Sequence, residues 1–448
     1  MKRSSSDSSL FKSRGLELGA NKSPKGKLSQ EIEGEKVPTE LLQIVEKARK
    51  ELIFEEVKGE RLVTGGSLSN FLNFVLLSPP TDEINQFQVV LLLTFRRFSS
   101  KESLLQRVSQ MFYLYHKKSQ VVTSNVASFL YKWFDEHRLD FEKDRPFITS
   151  FSEFCIRIGN KSLMTLLKNK KKKNSSLIRS LSNSAIPKCL VKNSLTDQSF
   201  LSFSPSDIAK EWCMDCYKKV VSVAPVELLE VSIEGSNYVS RNIKLVAEHF
   251  NEISLLVNGT ILNEKRHSHR VKLVKFFIEV SKCALDLHNF HLLMAVLSGL
   301  NSASLQRLKK LWNDLQAKHV LILGRMMDLM SINSNFANYR KQFEASTHPK
   351  LPYFGILQKD LLQLTSASKK FLETEEGKEE EPKVNFFVYQ QCSILVEPLR
   401  ECKKQPYLFH SSIQVQRFLS CLPSYNEEDL FQRSYKIEPS RSAKKNFF

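Results

Sequence analysis

Side chains able to do covalent chemistry are present in this chain but do not assemble. Cys213 and Cys216 form a C-x-x-C pair, the spacing of half a zinc site or of a redox centre. No second Cys or His pair follows at ligand spacing, and the pair sits in an amphipathic stretch, which reads as buried, reduced thiols. His267 and His269 flank Ser268 in a basic polar segment read as a solvated turn. The glycine loops that cradle phosphates, G-x-x-x-x-G-K-[S/T] and G-x-G-x-x-G, are absent, as are H-E-x-x-H and G-x-S-x-G. With no nucleophile, base and orienting group in sight, the expectation is a protein with no metal, no cofactor and no covalent step. Its work would be done by binding.

Binding needs shaped, rigid elements, and the apolar spacing supplies helices. Leu68, Phe71, Leu72 and Val75 fit one helical face, as do Val274, Phe277, Ile278 and Leu285 on a helix expected from about residue 270 to 287. Phe87 to Phe98 reads as a mostly buried helix, and Ser100 as the cap of the next. Another helix is expected to open at Leu130–Phe134, and one from Asn242 to Val257. Ser206 or Asp207 is expected to cap a helix that opens a new domain. Only 14 Gly and 15 Pro in 448 residues argue against a sandwich or barrel, so the fold class is all-α.

The net charge is +18, but it is concentrated. Residues 1–30 carry seven Lys/Arg against Asp7 and Glu17, and residues 165–195 carry eight with no acid. Both stretches are Ser/Asn-rich and poor in aromatics, as in solvated disordered segments. They are expected to form a disordered tail over 1–45 and a linker over 168–200, and could touch an anionic membrane surface. Without interleaved aromatics they are not expected to bind nucleic acid. No apolar run reaches the ~20 residues of a membrane span, and Met1–Ser6 lacks a signal core. A cytoplasmic protein, peripheral at the inner face of the plasma membrane, is expected.

The stretch Asp286 to Trp312 is the most specific. An apolar run through Phe290, Leu293, Met294 and Leu297 breaks at Ser298-Gly299-Leu300-Asn301-Ser302. A second amphipathic run follows, with Ser302 as N-cap and Leu305, Leu308, Leu311 and Trp312 spaced for one helix. The string Asn289-Phe-His-Leu-Leu-Met-Ala-Val-Leu-Ser-Gly-Leu-Asn-Ser302, followed by Arg307-Leu-Lys-Lys-Leu-Trp312, resembles the signature of Ras-type guanine nucleotide exchange factors, the family that includes Son of sevenless. Pro225-Val-Glu-Leu228, Tyr339-Arg340, Pro352-Tyr-Phe-Gly355 and Val415–Leu419 match the same family. Upstream, Leu92–Leu105 and Trp133–His137 resemble its N-terminal exchanger module.

The resemblance implies an exchanger module over 56–167 and a larger helical catalytic domain over 203–439, carrying a protruding helical hairpin from about Ile356 to Gln391. It implies a small GTPase of Ras, Rap or Ral type as partner, whose bound GDP is released when the hairpin wedges open the phosphate site. Leu361 and Leu362 are then expected near the hairpin tip, with Ser366 in the catalytic stretch. Asn301, Ser302, Gln306, Arg307, Tyr238, Arg241, Leu357 and Gln391 are expected to contact the GTPase. Tyr353, Phe354 and Gly355 would form the hairpin's packing foot. The chain departs from the family at Thr365-Ser366-Ala367-Ser368, where Glu-Glu-Gly-Asn is usual, and at Tyr238, where an Arg is expected. The alternative is a catalytically weak or inactive relative that binds a GTPase as a scaffold.

Overall fold

The computed structural model describes residues 31–32, 35–36, 38–57, 60–142, 144–168, 199–232, 238–373, 381–409 and 412–439. The basic tail 1–30, the linker 169–198 and the acidic stretch 374–380 lie outside these. Two short strands, β1 (Glu31–Ile32) and β2 (Glu35–Lys36), pair antiparallel. They precede α1 (Thr39–Glu51), the hairpin β3 (Ile53–Val57) and β4 (Glu60–Gly66), and then α2 (Leu68–Leu77), α3 (Asp82–Thr94), α4 (Lys101–Tyr115), α5 (Gln120–Glu136), α6 (Arg145–Ile158) and α7 (161–168). Hydroxyl and carboxylate caps start four of these helices. Ser67, Thr81, Ser100 and Asp144 each accept the N–H three residues on, satisfying a donor the first turn leaves orphaned.

Two expectations change here. Residues 39–45, assigned to the tail, are the first turns of α1; Leu41, Val45, Ala48 and Leu52 are buried at helical spacing, so the N-terminal core begins well before residue 56. Leu130–Phe134 closes α5 rather than opening a helix. The start lies at Gln120, because Val121, Val122 and Val126 bury the same face despite their modest helix propensity.

After the linker come α8 (Pro205–Ser222), α9 (Pro225–Val231), α10 (Arg241–Asn263), α11 (His267–Asp286), α12 (Phe290–Leu300), α13 (Ala303–Gln306), α14 (Lys309–Asn313), α15 (Ala317–Leu329), α16 (Asn333–Ala345), α17 (Phe354–Ala367), β5 (Val384–Asn385), α18 (Phe386–Lys404), α19 (Ile413–Ser420) and α20 (Glu427–Ile437). Ser204, not Ser206 or Asp207, caps α8, with Pro205 in the first turn, where its missing N–H costs nothing. Cys213 and Cys216 are buried on α8 as free thiols. Burial pushes the Cys213 thiol up to about 12, far from a reactive thiolate. His267 and His269 lie in the first turn of α11 rather than in a free turn, and His267 Nε2 sits 2.7 Å from Asp314 Oδ2.

The run holding Leu305, Leu308, Leu311 and Trp312 is not one helix. It folds as two short ones, α13 and α14, and the Trp312 indole donates to the Leu305 carbonyl across the break. All three leucines are still buried. Before the break, α12 lies so close to α10 that a Cβ on Gly299 would meet the Ser254 carbonyl at 2.5 Å. Only glycine fits there.

The helices enclose two hydrophobic cores. The larger is built from Phe200 to Leu430, and Phe200 belongs to it rather than to the linker. The smaller is built from Leu41 to Leu163, but it also contains Val384, Phe386 and Tyr389 from β5 and α18, while Leu93 of α3 enters the larger. The two units therefore share side chains. The molecule is all-α apart from these short strands, and among the described residues no helix is long and apolar enough to cross a membrane.

Candidate functional site

α17 is an amphipathic helix with two clean stripes. Leu357, Asp360, Leu361 and Leu364 face inward at i, i+3, i+4 and i+7, while Lys359, Leu362, Gln363 and Ser366 face outward at the same spacing. Leu362 is 46 % exposed, whereas Leu361 and Leu357 are 0 % and 2 % exposed. Leu361 is thus core rather than tip, and Leu357 is unavailable for a partner. Both follow from the helix turning through 100° per residue, which sends neighbours in sequence to different faces. Leu362 also sits mid-helix; the arm continues to Ala367 before the chain turns.

The foot of α17 is locked from several sides. Phe354 is buried and Tyr353 half-buried, stacked 6.0 Å from the Phe250 ring. The Tyr353 N–H donates to the Tyr339 hydroxyl, at 3.0 Å. One turn on, Arg340 grips Asp360 with both arms of its fork, at 2.8 and 2.7 Å, and its Nε donates to the Asn335 carbonyl. Such a bidentate pair fixes angle as well as distance. This explains the Tyr339-Arg340 dipeptide, whose role the sequence alone left open. The residues just before it, Ser334, Asn335 and Phe336, all have positive φ, a strained left-handed turn held by Phe336 burial and by Lys359 donating to Asn335 Oδ1.

Two histidines lie beneath the foot. His291 of α12 is 6.5 Å, ring to ring, from Phe354, and His249 of α10 lies nearby; among the described residues neither ring has a hydrogen-bond partner at Nδ1. Burial lowers His249 to about 3, helped by Lys219 and His291, and lowers His291 to about 4. Both are neutral at physiological pH.

The far end of the hairpin is docked, not free-standing. β5 adds to the edge of β4, with Gly65 opposite Asn385 and Gly66 opposite Val384. Arg107 of α4 donates to Glu381 and to Ser69, each at 2.6 Å. Phe386 stacks on Phe87 at 4.4 Å and lies 4.8 Å from Phe71. The second arm also runs further than expected, to Lys404, so Gln391 is in its second turn and half-buried.

A node in the N-terminal unit braces this docking. Arg96 and the Trp133 indole both bond the buried carboxylate of Asp140, and Lys101 donates to its carbonyl. Phe95 packs edge-on to Trp133 at 5.3 Å. The two matched segments, Leu92–Leu105 and Trp133–His137, thus meet at one acid that sequence reading did not single out. Next to it, Arg97 lies close enough to Tyr389 and Cys392 of α18, and to Glu230 of α9, to oppose the rise that burial imposes on all three.

The other predicted contacts are held by buried polar pairs. Glu227, the acid of Pro225-Val-Glu-Leu228, accepts from Ser240 and Asn242 at 3.1 Å, setting the segment that carries half-buried Tyr238 and exposed Arg241. Burial, then Glu227, pushes the Tyr238 hydroxyl up to about 12. At the other end of α10, Asn258 and Ser304 bond reciprocally, fixing exposed Asn301 and Gln306 and half-buried Ser302. Ser302 stands at the N-cap of α13, but its hydroxyl meets Ser304 instead of capping. α10 spans the ~25 Å between these clusters. Thr365 on α17 donates to the Ser232 carbonyl after α9, which ties the outer end of α17 to the Tyr238 side. Arg307 is occupied within the fold: its guanidinium lies 3.9 Å over the Tyr435 ring and bonds Ser434 of α20.

Residues 207–390 match the RasGEF domain family. The chain is 25% identical over 431 residues to Ras guanine nucleotide exchange factor R of Dictyostelium discoideum, covering 91% of this chain and 24% of that protein. It is 24% identical to Ras guanine nucleotide exchange factor A of the same organism, covering 80% of this chain and 62% of the relative. The human Ras-GEF domain-containing family member 1B is 24% identical, over 71% of this chain and 73% of its own. The chain thus spans between a quarter and two thirds of the length of the two Dictyostelium relatives. The matched residues, with the locked foot of α17 and the paired corners of α10, are thus similar to a RasGEF catalytic domain.

Proposed function

We propose that this chain is a guanine nucleotide exchange factor for a Ras-family GTPase of Ras, Rap or Ral type, acting without covalent chemistry. The observation that carries the reading is the RasGEF match over 207–390, which includes a helix whose foot is locked while Leu362, Gln363 and Ser366 stay exposed. A GTPase releases nucleotide slowly because its phosphate and Mg²⁺ contacts must break together. A catalyst of release binds the open, nucleotide-free form more tightly than the closed one. A rigid helix edge with one apolar side chain at its centre suits that task, since distortion of the GTPase must not be absorbed by the exchange factor. Ser366 offers a hydroxyl where the family's usual Glu-Glu-Gly-Asn would offer a carboxylate, so the wedge here acts by shape rather than charge. Asn301 and Gln306 at one end of α10, and Tyr238 and Arg241 at the other, would hold the GTPase while α17 works.

Release of a fluorescent GDP analogue from Ras, Rap and Ral proteins tests this directly. Acceleration of at least one supports exchange. Tight binding of nucleotide-free GTPase without acceleration of any would assign the chain to the scaffold class instead.

A further inference from the structure

The corner between α10 and α11 faces α20 across a cleft of about 630 Å³. Four cations line it: Lys265 and Arg270 from the corner, Arg433 and Lys436 from α20. Two acids, Glu264 and Asp429, complete the charged lining. Among the described residues Lys265, Arg433 and Lys436 have no ion-pair partner. Arg270 is preset: its Nε donates to the Glu264 carbonyl at 2.8 Å and one terminal nitrogen to the Lys265 carbonyl at 3.2 Å. Those bonds hold the fork still and leave its other N–H groups for something else. Burial lowers Arg270; Glu264 opposes this in part, and Arg433, near enough for the two guanidiniums to repel, adds to it.

A fold does not gain by gathering like charges around a void, so the arrangement calls for an anion. We propose that this cleft binds a phosphorylated headgroup carrying more than one phosphate. Guanidinium forks match phosphate oxygens in pairs, and ammonium groups add point charge around them. The volume suits a small headgroup and excludes a duplex. Asp429 adds an acceptor for hydroxyl hydrogens, while one Glu264 oxygen already accepts the Arg266 N–H; an acid in the lining favours a polyol phosphate over a bare one. The same helix, α20, also carries Tyr435 and Ser434, which hold Arg307. The proposal does not depend on exchange activity.

The test uses the full chain, phosphatidylcholine vesicles with and without a few mole per cent phosphatidylinositol bisphosphate, and soluble inositol trisphosphate followed by calorimetry. Arg433→Glu with Lys436→Glu alters exposed positions only. Lys47→Glu with Lys318→Glu, equally exposed and elsewhere, controls for overall charge, and melting curves check folding. Expected is a loss of at least about tenfold for the α20 pair, with the control within about twofold. Loss of both vesicle and soluble binding assigns a lipid headgroup; binding of the soluble form alone assigns a free phosphate ligand. Equal losses in both pairs, binding of neither probe by the unaltered chain, or an α20 pair that keeps phosphate binding and loses only GTPase exchange would each overturn the proposal.

Discussion

Helices α17 and α18 follow one another in the chain and pack together, yet they are finished differently. α18 has no exposed residue from Phe386 to Cys402, because it lies between the two cores and gives Phe386 and Tyr389 to the N-terminal one. α17 buries one stripe and leaves Lys359, Leu362, Gln363, Ser366 and Ala367 in solvent. One arm is an anchor, and the other is a working edge. Under the proposed exchange mechanism, the stiffness of the hairpin would come from the arm that does no pushing.

The largest test of this division is Phe386→Ala. Removing an aromatic ring that stacks on Phe87 and packs at a tilt on Phe71 should cost about 3–5 kcal/mol, read as a lower denaturant midpoint. Exchange should fall as well, although Phe386 is fully buried. If exchange survives at full rate in the folded fraction, the anchor is dispensable.

Asp360→Ala comes next. It strands the Arg340 fork in a mostly buried site and should cost about 3 kcal/mol. Rescue by the double change with Arg340→Met would show that the pair positions α17 rather than supplying net stability.

The two histidines beneath the foot give an intermediate effect. Their folded values lie near 3 and 4, below the ordinary imidazole value, so between about pH 4 and 6.5 the unfolded chain binds more protons than the folded one. Stability should therefore fall as pH drops below 6.5, by roughly 1–2 kcal/mol per histidine at pH 5. A variant with His249→Gln and His291→Gln should show a flatter profile.

Leu362→Glu should have the smallest effect on stability, within about 0.5 kcal/mol, because the side chain is on the surface. On exchange it should have a large one, at least about tenfold, from a charge placed at the centre of the wedge. A variant that melts early would mean Leu362 is structural and that the working edge lies elsewhere.

Much of this could be read from the chain. Apolar spacing located several helices, α2, α4 and α11 among them, to within a few residues, and the strings around Asn301 and Tyr353 pointed to the domain family that matches 207–390. The errors have physical causes. Leu361 and Leu362 are equivalent as letters and differ only in which side of α17 meets the core. The Leu305–Trp312 spacing is as compatible with two short buried helices as with one, since burial rather than helix continuity selects leucine at those positions. Arg307 looked free for a partner because its contacts, Ser434 and Tyr435, lie more than a hundred residues away.

Taken alone, the order of residues pointed to the helical class and to caps such as Ser100: a short-range pattern of apolar and hydroxyl positions suffices for these, because their energetics are settled within a turn or two. Which leucine faces outward, which acid receives Arg96 and Trp133, and which core claims Phe386 were decided only in three dimensions. Those choices rest on contacts between segments tens to hundreds of residues apart, and no local pattern encodes them.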